Sequence, residues 1–258
     1  MSLGTSFDLT DRTALVTGGA RGMGRMLAEG LLHAGATVFI TAREGAAEAA
    51  KEMAAIGPCT GLIANLADAG ATLALARQMS EHTAWLNILV NNAGKTWGAP
   101  LETFPDKAWP SVLAVNVQAP FALIRDLLPL LRVAGEPDNP ARVINIGSLA
   151  GHAVERLDAY SYAASKAALH HLSRELAATL AADHITVNTI APGYFPTGMT
   201  AHIRADDARA DALAARVPLG RLGRAADIAG ACVFLASPAG SYVTGITLPV
   251  DGGLSGCR

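Results

Sequence analysis

The stretch Thr13-Ala-Leu-Val-Thr17-Gly18-Gly-Ala-Arg-Gly22-Met-Gly24 predicts a strand, a tight turn and the start of a helix. The apolar run before Thr17 is typical of a buried strand, and Met26, Leu27 and Leu31 follow at helical spacing. Glycines at this junction let phosphate oxygens reach the free N–H groups of a helix N-terminus. The spacing, G-x3-G-x-G, therefore favours a dinucleotide site, and a glycine turn used only for packing is the alternative.

Strand-like and helix-like segments alternate along the rest of the chain. Strand patterns follow at 37–41, 60–64, 86–90, 142–146, 185–190 and 246–250, and Ala-rich helix patterns at 46–56, 69–82, 107–132, 160–181 and 225–236. Strands separated by helix-length connections form a parallel sheet that is covered on both faces. We expect one α/β domain over residues 1–258, a doubly wound Rossmann fold with a seven-stranded parallel sheet.

The composition is that of a globular protein without a strong charge. Of the 258 residues, 51% are hydrophobic, and the formal net charge is −2, so we expect neither nucleic acid nor a membrane as a partner. Cys59, Cys232 and Cys257 lack metal-ligand spacing, so neither a disulfide framework nor a metal site is expected. The first ten residues show no signal pattern and no run approaches membrane-spanning length, which predicts a cytoplasmic protein.

The residues after the second strand bear on which nucleotide the chain binds. Where an acidic residue would bind the ribose 2′-hydroxyl of NAD, the chain has Ala42. Arg43 follows and could bind a 2′-phosphate with two hydrogen bonds, with Arg21 as a second cation. These residues favour NADP(H) over NAD, and a surface pair between Arg43 and Glu44 is the alternative.

A tyrosine and a lysine one helical turn apart form the candidate catalytic pair. Tyr162 and Lys166 share a helix face, and Ser148 follows the fifth strand. Lowering the pKa of a phenol from about 10 to roughly 7 needs about 4 kcal/mol of preferential phenolate stabilisation. The ammonium of Lys166, with an oxidised nicotinamide, would supply that field, and Ser148 would hydrogen-bond the substrate oxygen. Taken alone, the pair is more typical of an ordinary helix surface.

Taken together, the motifs resemble the short-chain dehydrogenase/reductase family in order and approximate spacing. The resemblance runs from about Phe7 to Gly253. It rests on the glycine turn, Asn91-Asn-Ala-Gly94, Asn116, Ser148, Tyr162-x-x-x-Lys166, Pro192-Gly193, Thr244-Gly245 and Val250-Asp-Gly-Gly253. The stretches 140–148 and 165–173 are most similar to bacterial 3-oxoacyl reductases of the rhamnolipid-associated type. The resemblance implies an oxidoreductase that transfers a hydride between NADP(H) and a ketone or secondary alcohol.

The resemblance also implies a role for each matching residue. Tyr162 would be the general acid and base, and Lys166 would lower its pKa and bind the nicotinamide ribose. Ser148 would orient the carbonyl, and Asn116 would hold a water of a proton relay. The implied cofactor-binding residues are Gly18, Arg21, Gly22, Met23, Gly24, Arg43, Asn65, Leu66, Asn92, Ala93, Gly94, Tyr162, Lys166, Pro192, Gly193 and Thr197.

Two positions depart from the family's pattern. Ser148 and Tyr162 are fourteen positions apart, one more than usual, so we expect a remodelled loop between them. Asn65 stands where the family generally has Asp for the adenine amino group, so that contact keeps an acceptor oxygen and loses its charge.

The substrate pocket is expected beside Trp97, Ser148 and Tyr194, under a lid at about 194–217. The apolar residues expected to line it are Trp97, Val154, Leu157, Tyr194 and Phe195. They favour a partly apolar carbonyl compound, such as a 3-oxoacyl compound. An NAD-dependent dehydrogenase of a sugar or sterol alcohol is the alternative. A protein that only senses the cofactor is disfavoured because Tyr162 and Lys166 are both present.

The two longest helix patterns, 107–132 and 160–181, predict contacts with another copy of the chain across a two-fold axis. The second pattern carries the small residues Ala163, Ala164, Ala167, Ala168, Ala177 and Ala178. The apolar run 245–249 would form a second contact, so we expect a homotetramer. Alanines that only reflect helix propensity are the alternative.

Overall fold

A parallel sheet forms the middle layer of the fold. The computed structural model describes residues 5–155, 157–196 and 207–257. The strands are β1 (Thr13–Thr17), β2 (Thr37–Ala42), β3 (Cys59–Ile63), β4 (Ile88–Asn91), β5 (Ala141–Ile146), β6 (Ile185–Pro192) and β7 (Thr247–Val250). They lie in the order β3-β2-β1-β4-β5-β6-β7, and all neighbours are parallel. The predicted seven-stranded parallel sheet is confirmed.

Helices cover both faces of this sheet. They are α1 (Gly22–His33), α2 (Ala46–Met53), α3 (Ala71–His82), α4 (Ala108–Leu113), α5 (Ala119–Ala134), α6 (Tyr160–Leu180), α7 (Asp207–Ala214) and α8 (Ala225–Ala236). Helices α1, α2 and α8 pack in one apolar layer with Val16, and α3, α5 and α6 pack in the other with Leu15. Successive residues of a strand point to opposite faces, so β1 serves both layers. The predicted doubly wound α/β fold is confirmed.

The order of the strands reverses between β1 and β4. From β1 the chain builds one half of the sheet through β2 and β3, and β4 to β7 form the other half. In open α/β sheets, ligands bind outside the carboxyl ends of the strands at this switch point. The residues after Thr17 and Asn91 therefore border one crevice.

One predicted helix is interrupted. The segment 107–132 forms α4, a π-helical turn (Ala114–Gln118) and α5. The composite helix Ala108–Ala134 has 27 residues and a most apolar window of mean hydropathy 1.3, enough by length and composition to cross a membrane. The expectation that no run approaches that length is therefore wrong. Leu123, Leu127 and Leu131 of this helix are fully buried in the core, as in a core helix of a globular domain.

Two other expectations concern the lid and the small residues of α6. The predicted lid contains helix α7, and Thr197 with the rest of 197–206 lies outside the described residues, so the lid and the Thr197 contact stay predictions. Ala177 of the small-residue set is 3% exposed and packs in the core of its own chain. It lies on the inner face of α6, whereas Ala164, Ala167, Ala168 and Ala178 are exposed.

Candidate active site

The glycine turn between β1 and α1 has the geometry of an anion-binding loop. Gly18 and Gly22 have φ angles of +65° and +56°, which glycine adopts without strain. A Cβ on Gly24 would collide with the Gly18 carbonyl oxygen, so part of the turn is also needed for packing. The N-cap residue Arg21 makes no side-chain capping hydrogen bond, and the first turn of α1 holds no acidic residue. The backbone N–H groups of the first turn of α1 are therefore available to a dinucleotide pyrophosphate.

Asn92 and Thr17 tie this turn to the end of β4. The Asn92 side chain donates to the Thr17 carbonyl oxygen at 2.8 Å. The Thr17 hydroxyl accepts from the N–H groups of Asn92 and Ala93 at 2.9 and 3.0 Å. Thr17 is not among the predicted site residues, although its position at the carboxyl end of β1 is a signal of such a role. The predicted contacts of Asn92, Ala93 and Gly94 with the cofactor stay predictions.

The cations predicted to bind a 2′-phosphate lie beyond the ends of two neighbouring strands. Arg21 and Arg43 are both exposed. Among the described residues, no ion pair involves Arg43, so the structure does not show the alternative pairing with Glu44. The position and free charge of Arg43 therefore fit a phosphate on the ribose.

Asn65 keeps an acceptor for the adenine end of the cofactor. Its Nδ2 donates to Asp68 Oδ1 at 2.9 Å, and its Oδ1 receives one long hydrogen bond, from the Ala67 N–H at 3.4 Å. The next residue, Leu66, packs half-buried against the core. Contact of Leu66 with the cofactor stays a prediction.

Tyr162 and Lys166 lie one turn apart on α6, as predicted. Lys166 is 4% exposed, and its Nζ donates to the Ile146 carbonyl oxygen at 2.7 Å, at the end of β5. The same Nζ lies 5.7 Å from the centre of the Tyr162 ring. Burial lowers the pKa of Lys166 to about 8 because the ammonium loses solvation. The end of the strand therefore holds this amine beside the phenol.

The expected lowering of the Tyr162 pKa is not found. Burial raises the pKa of Tyr162 above its usual value of 10, and a hydrogen bond with Ser148 opposes this rise without reversing it. The reason is that a phenolate here would lose more solvation than the surrounding protein groups return. The phenol is therefore protonated at neutral pH, which is the state that can donate a proton.

Ser148 is held from two sides in the turn after β5. Its Oγ accepts a hydrogen bond from the Ala150 N–H at 3.2 Å, and its own N–H donates to His170 Nε2 at 3.3 Å. His170 is not among the predicted site residues. Its position one turn beyond Lys166, on the face that carries Tyr162, is the signal that could have found it.

Asn116 lies in the π-helical turn and clamps the chain beyond β4. Its Oδ1 accepts from the Lys95 N–H at 2.8 Å, and its Nδ2 donates to the Lys95 carbonyl oxygen and to Ser165 Oγ, both at 2.9 Å. A Cβ on Gly94 would lie 3.5 Å from Asn116 Oδ1 and 3.8 Å from Lys166 Nζ. Asn116, Gly94 and Lys166 are therefore close together, and the water relay stays a prediction.

A row of buried amides lies among the same elements. Asn91 Nδ2 donates to Asn145 Oδ1 at 2.9 Å, and Asn145 Nδ2 donates to Ser173 Oγ at 2.8 Å. The Ser173 hydroxyl donates to the Leu169 carbonyl oxygen at 2.7 Å. These bonds join β4, β5 and α6, and because each member has a partner the row can rigidify the site.

The predicted substrate residues separate into exposed and buried ones. Val154 and Leu157 are 83% and 54% exposed. Phe195 is 4% exposed and packs in the core, where a Cβ on Gly223 would collide with its ring. Phe195 and Tyr194 both line a small cavity beside the end of β7, so the expectation that Phe195 lines the substrate pocket stays a prediction. Trp97 is half-buried, with Lys107 Nζ 5.8 Å from its ring centre.

Tyr194 connects two segments that border the crevice. Its hydroxyl donates to Glu155 Oε2, in the segment between β5 and α6, and the Arg216 guanidinium carbon lies 5.5 Å from its ring centre. Just before it, the Gly193 N–H donates to the Val250 carbonyl oxygen at 3.0 Å and so extends the pairing of β6 with β7 beyond Pro192. In the described part of the chain, no group of three or more His, Cys, Asp or Glu side chains could hold a metal ion.

Known proteins resemble this chain over nearly its whole length. A family model described as enoyl-(acyl carrier protein) reductase matches residues 18–255. The rhamnolipids biosynthesis 3-oxoacyl-[acyl-carrier-protein] reductase of Pseudomonas aeruginosa is 50% identical over 249 residues, which cover 96% of this chain and 97% of that protein. The galactitol 2-dehydrogenase (L-tagatose-forming) of Cereibacter sphaeroides is 39% identical over 257 residues, 98% of each chain.

A solved structure agrees with the fold in detail. The Pseudomonas aeruginosa RhlG/NADP active-site complex matches with a TM-score of 0.95 at 49% identity, over 97% of this chain and 99% of that one. The parallel sheet with its dinucleotide crevice, together with these matches, places the chain among the nicotinamide-dependent oxidoreductases. The chain belongs to the short-chain dehydrogenase/reductase family. It transfers a hydride between NADP(H) and a ketone or secondary alcohol.

Proposed function

We propose that the chain reduces a 3-oxoacyl compound, or another carbonyl compound with an apolar portion, with NADPH as hydride donor and Tyr162 as proton donor. The observation that carries this proposal is the geometry of Tyr162, which is hydrogen-bonded to Ser148 and has Lys166 Nζ 5.7 Å from its ring centre. The exposed side chains of Val154 and Leu157 offer apolar contact. The 50% identical relative, a 3-oxoacyl-[acyl-carrier-protein] reductase, supports the substrate class.

The proton in this reaction comes from the chain's own residues. The Ser148 hydroxyl holds the substrate carbonyl oxygen, and the Tyr162 hydroxyl donates its proton to that oxygen. Lys166 stabilises the phenolate that remains. When bound, NADPH would supply the hydride to the carbonyl carbon. Since burial raises the pKa of Tyr162, the phenol is protonated at neutral pH and can donate its proton to the carbonyl oxygen.

The chain offers a contact for each part of the cofactor. The glycine turn with Met23 would hold the pyrophosphate, Arg21 and Arg43 the 2′-phosphate, and Asn65 with Leu66 the adenine. The residues proposed for the riboses and the nicotinamide are Asn92, Ala93, Gly94, Tyr162, Lys166, Pro192, Gly193 and Thr197. Asn116 would hold the water that returns a proton toward Lys166.

We infer that the acyl chain, rather than an acidic carrier protein, provides most of the recognition. Arg132, one of two cations that could meet such a carrier, is paired with Asp183 at 2.9 Å. The other, Arg174, contacts His171 Nδ1 at 3.2 Å. Ala182, Asp183 and His184 precede β6, where carrier-dependent relatives tend to have a basic residue.

NADPH oxidation by the purified protein tests the substrate class. The assay compares 3-oxoacyl thioesters of short, medium and long chains, each on a small thiol and on acyl carrier protein, with quinones, keto-sugars and steroids. We expect kcat/KM to rise with acyl-chain length and to differ little between the two carriers. Highest kcat/KM on a keto-sugar or quinone, or activity confined to the carrier-bound thioester, would contradict the proposal.

A polyol dehydrogenase is the second candidate, since the galactitol 2-dehydrogenase is 39% identical over 98% of this chain. It predicts NAD- or NADP-dependent oxidation of galactitol at neutral pH. In that direction the Tyr162 phenolate would act as the base that accepts the proton of the alcohol. Galactitol oxidation faster than 3-oxoacyl reduction would favour this candidate.

We also propose that the chain acts as a homotetramer in the cytoplasm, without nucleic acid or a membrane as partner. Trp109 and Phe121, on α4 and α5, are 38% and 43% exposed, and α6 presents exposed alanines. The edge strand β7 leaves Ile246 beside it 37% exposed. The formal net charge of −2 supports the absence of polyanionic partners.

A further inference from the structure

His170 is buried against the turn that carries Ser148. It lies one helical turn beyond Lys166 on α6 and is 5% exposed. A Cβ on Gly147 would collide with its Nε2, and a Cβ on Gly151 would lie 2.5 Å from its Cε1. The two glycines on either side of Ser148 therefore form the space in which the imidazole sits.

The His170 imidazole accepts a hydrogen bond from the first backbone N–H beyond the pairing of β5 with β6. The Gly147 N–H still donates to the Ile190 carbonyl oxygen at 2.7 Å, as part of the pairing of β5 with β6. The next N–H, that of Ser148, donates to His170 Nε2 at 3.3 Å. A shielded N–H without a partner costs roughly 1–3 kcal/mol, so this bond favours one conformation of the Ser148 backbone.

The ring must be uncharged to accept this bond, because both nitrogens of an imidazolium are donors. The groups around it disfavour the charge. Burial lowers the pKa of His170 to about 4, and His152, Lys166 and Arg174 add to the shift. The ring centre of His152 lies 5.8 Å from that of His170.

We propose that His170 is a positioning residue, whose uncharged imidazole fixes the Ser148 backbone so that the Ser148 hydroxyl is aimed at Tyr162 and the substrate oxygen. The inference rests on the proposed reductase activity. It assigns no proton transfer to His170, which acts only through Ser148.

Two variants of nearly equal size distinguish two contributions of the His170 side chain: the hydrogen bond that it accepts and the space that it fills. His170→Gln keeps an oxygen close to the position of Nε2, whereas His170→Met fills the space without a comparable acceptor. His171→Gln, on the exposed side of the same helix, is the matched control. Gly147→Ala is a second route, because the added methyl pushes against the ring without removing it; the methyl also meets Thr189 Cγ2 on β6, at 2.7 Å, and Gly147 has no positive φ angle to oppose alanine.

Each variant is measured in three ways: kcat and KM for the ketone, the NADPH dissociation constant, and hydrogen–deuterium exchange of the peptide that contains 147–151. We expect His170→Met and Gly147→Ala to lose kcat about 10-fold, with the NADPH dissociation constant within about 2-fold, and to exchange faster. His170→Gln should keep at least about a third of wild-type kcat and exchange like wild type. His171→Gln should match wild type throughout.

Equal kcat for the Gln and Met variants would overturn the proposal, since acceptance of the bond would then have no effect. Loss of kcat in the Met variant with unchanged exchange at 147–151 would also overturn it, since the effect would not pass through Ser148. A wild-type protein that reduces no ketone contradicts the proposed function instead. The exchange comparison still decides whether His170 holds the turn.

Discussion

At the scale of residues, burial sets the charge states in the site. Burial raises the pKa of Tyr162 and lowers the pKa values of Lys166 and His170. A phenol that is protonated and a histidine that is uncharged are the forms that donate to a carbonyl and accept from a backbone N–H. Each is favoured because the charged form would lose its solvation.

Tyr162→Phe tests the proton donor. The variant should bind NADPH with wild-type affinity and lose at least 10²-fold in kcat, because only the hydroxyl is removed. Tyr160→Phe is the matched control, since the Tyr160 hydroxyl bonds to Asp158 two residues away. Steady-state kinetics and NADPH titration measure both. Substantial turnover by Tyr162→Phe would remove Tyr162 from the mechanism.

Arg43→Ala tests the choice of nucleotide. The variant should bind NADPH at least 10-fold more weakly and NADH nearly as before, because only the 2′-phosphate loses its partner. Arg77→Ala, which removes an exposed arginine on α3, should change neither dissociation constant. An equal loss of affinity for NADPH and NADH would show that Arg43 does not bind the 2′-phosphate.

The stability of the protein in acid tests the buried state of His170. The pKa of His170 is lowered from 6.5 to about 4, so between these values the unfolded chain binds the proton that the folded chain excludes. The contribution of His170 to the free energy of unfolding is therefore fully present above pH 6.5. It is lost as the pH falls toward 4, by about 3 kcal/mol in total.

Urea unfolding from pH 7 to pH 4 should show this loss in wild type and in His171→Gln. His170→Gln should show a correspondingly shallower decline, because glutamine does not titrate. A pH dependence that is the same in all three proteins would mean that His170 is not a buried neutral group.

At the scale of elements, close contacts between turns and helices decide whether the site forms. Helix α1 approaches the glycine turn so closely that Gly24 has no room for a Cβ, and Asn92 holds the turn from β4. The π-helical turn places Asn116 where its amide spans from the chain after β4 to α6.

Gly24→Ala should weaken NADPH binding at least 10-fold and destabilise the fold, because the added methyl displaces the turn. Gly230→Ala is the matched control: Gly230 lies inside α8 with nothing within 4 Å of an added Cβ. It should keep NADPH affinity and stabilise the protein by about 0.5–1 kcal/mol, since alanine favours helix. Nucleotide titration and thermal unfolding measure the pair, and unchanged binding by Gly24→Ala would contradict the contact.

At the scale of the whole molecule, exposed apolar side chains on α4 and α5 and the edge strand β7 offer two surfaces to other copies. Two isologous contacts give D2 symmetry. Light scattering with size-exclusion chromatography should therefore give four times the mass of the 26.5 kDa chain.

Phe121→Glu should halve that mass by breaking the helix contact, because a carboxylate is costly to bury without a partner. Leu73→Glu, at a 46% exposed position on α3, should leave the mass unchanged. A single-chain mass for wild type at micromolar concentration would rule out the assembly, and a wild-type dimer would leave one contact.

The sheet and the proposed catalytic groups could both be predicted from local patterns in the sequence. The alternation of apolar strands and Ala-rich helices predicted seven parallel strands, because hydrophobic periodicity is a local property. The i,i+4 spacing of Tyr162 and Lys166 predicted their shared face for the same reason. The glycine turn and Arg43 predicted the crevice and its cofactor, because the backbone freedom of glycine and the charge of arginine are properties of the residues themselves.

Which groups lie within hydrogen-bond distance, and how far each is buried, depends on how distant parts of the chain pack together. His170 contacts Ser148 because β5 and α6 pack together around Gly147 and Gly151. Phe195 is buried because residues from several elements pack around it. The pKa of Tyr162 is raised because desolvation of the phenol depends on every neighbouring element. Solvation and packing are sums over residues distant in the chain, which no local pattern contains.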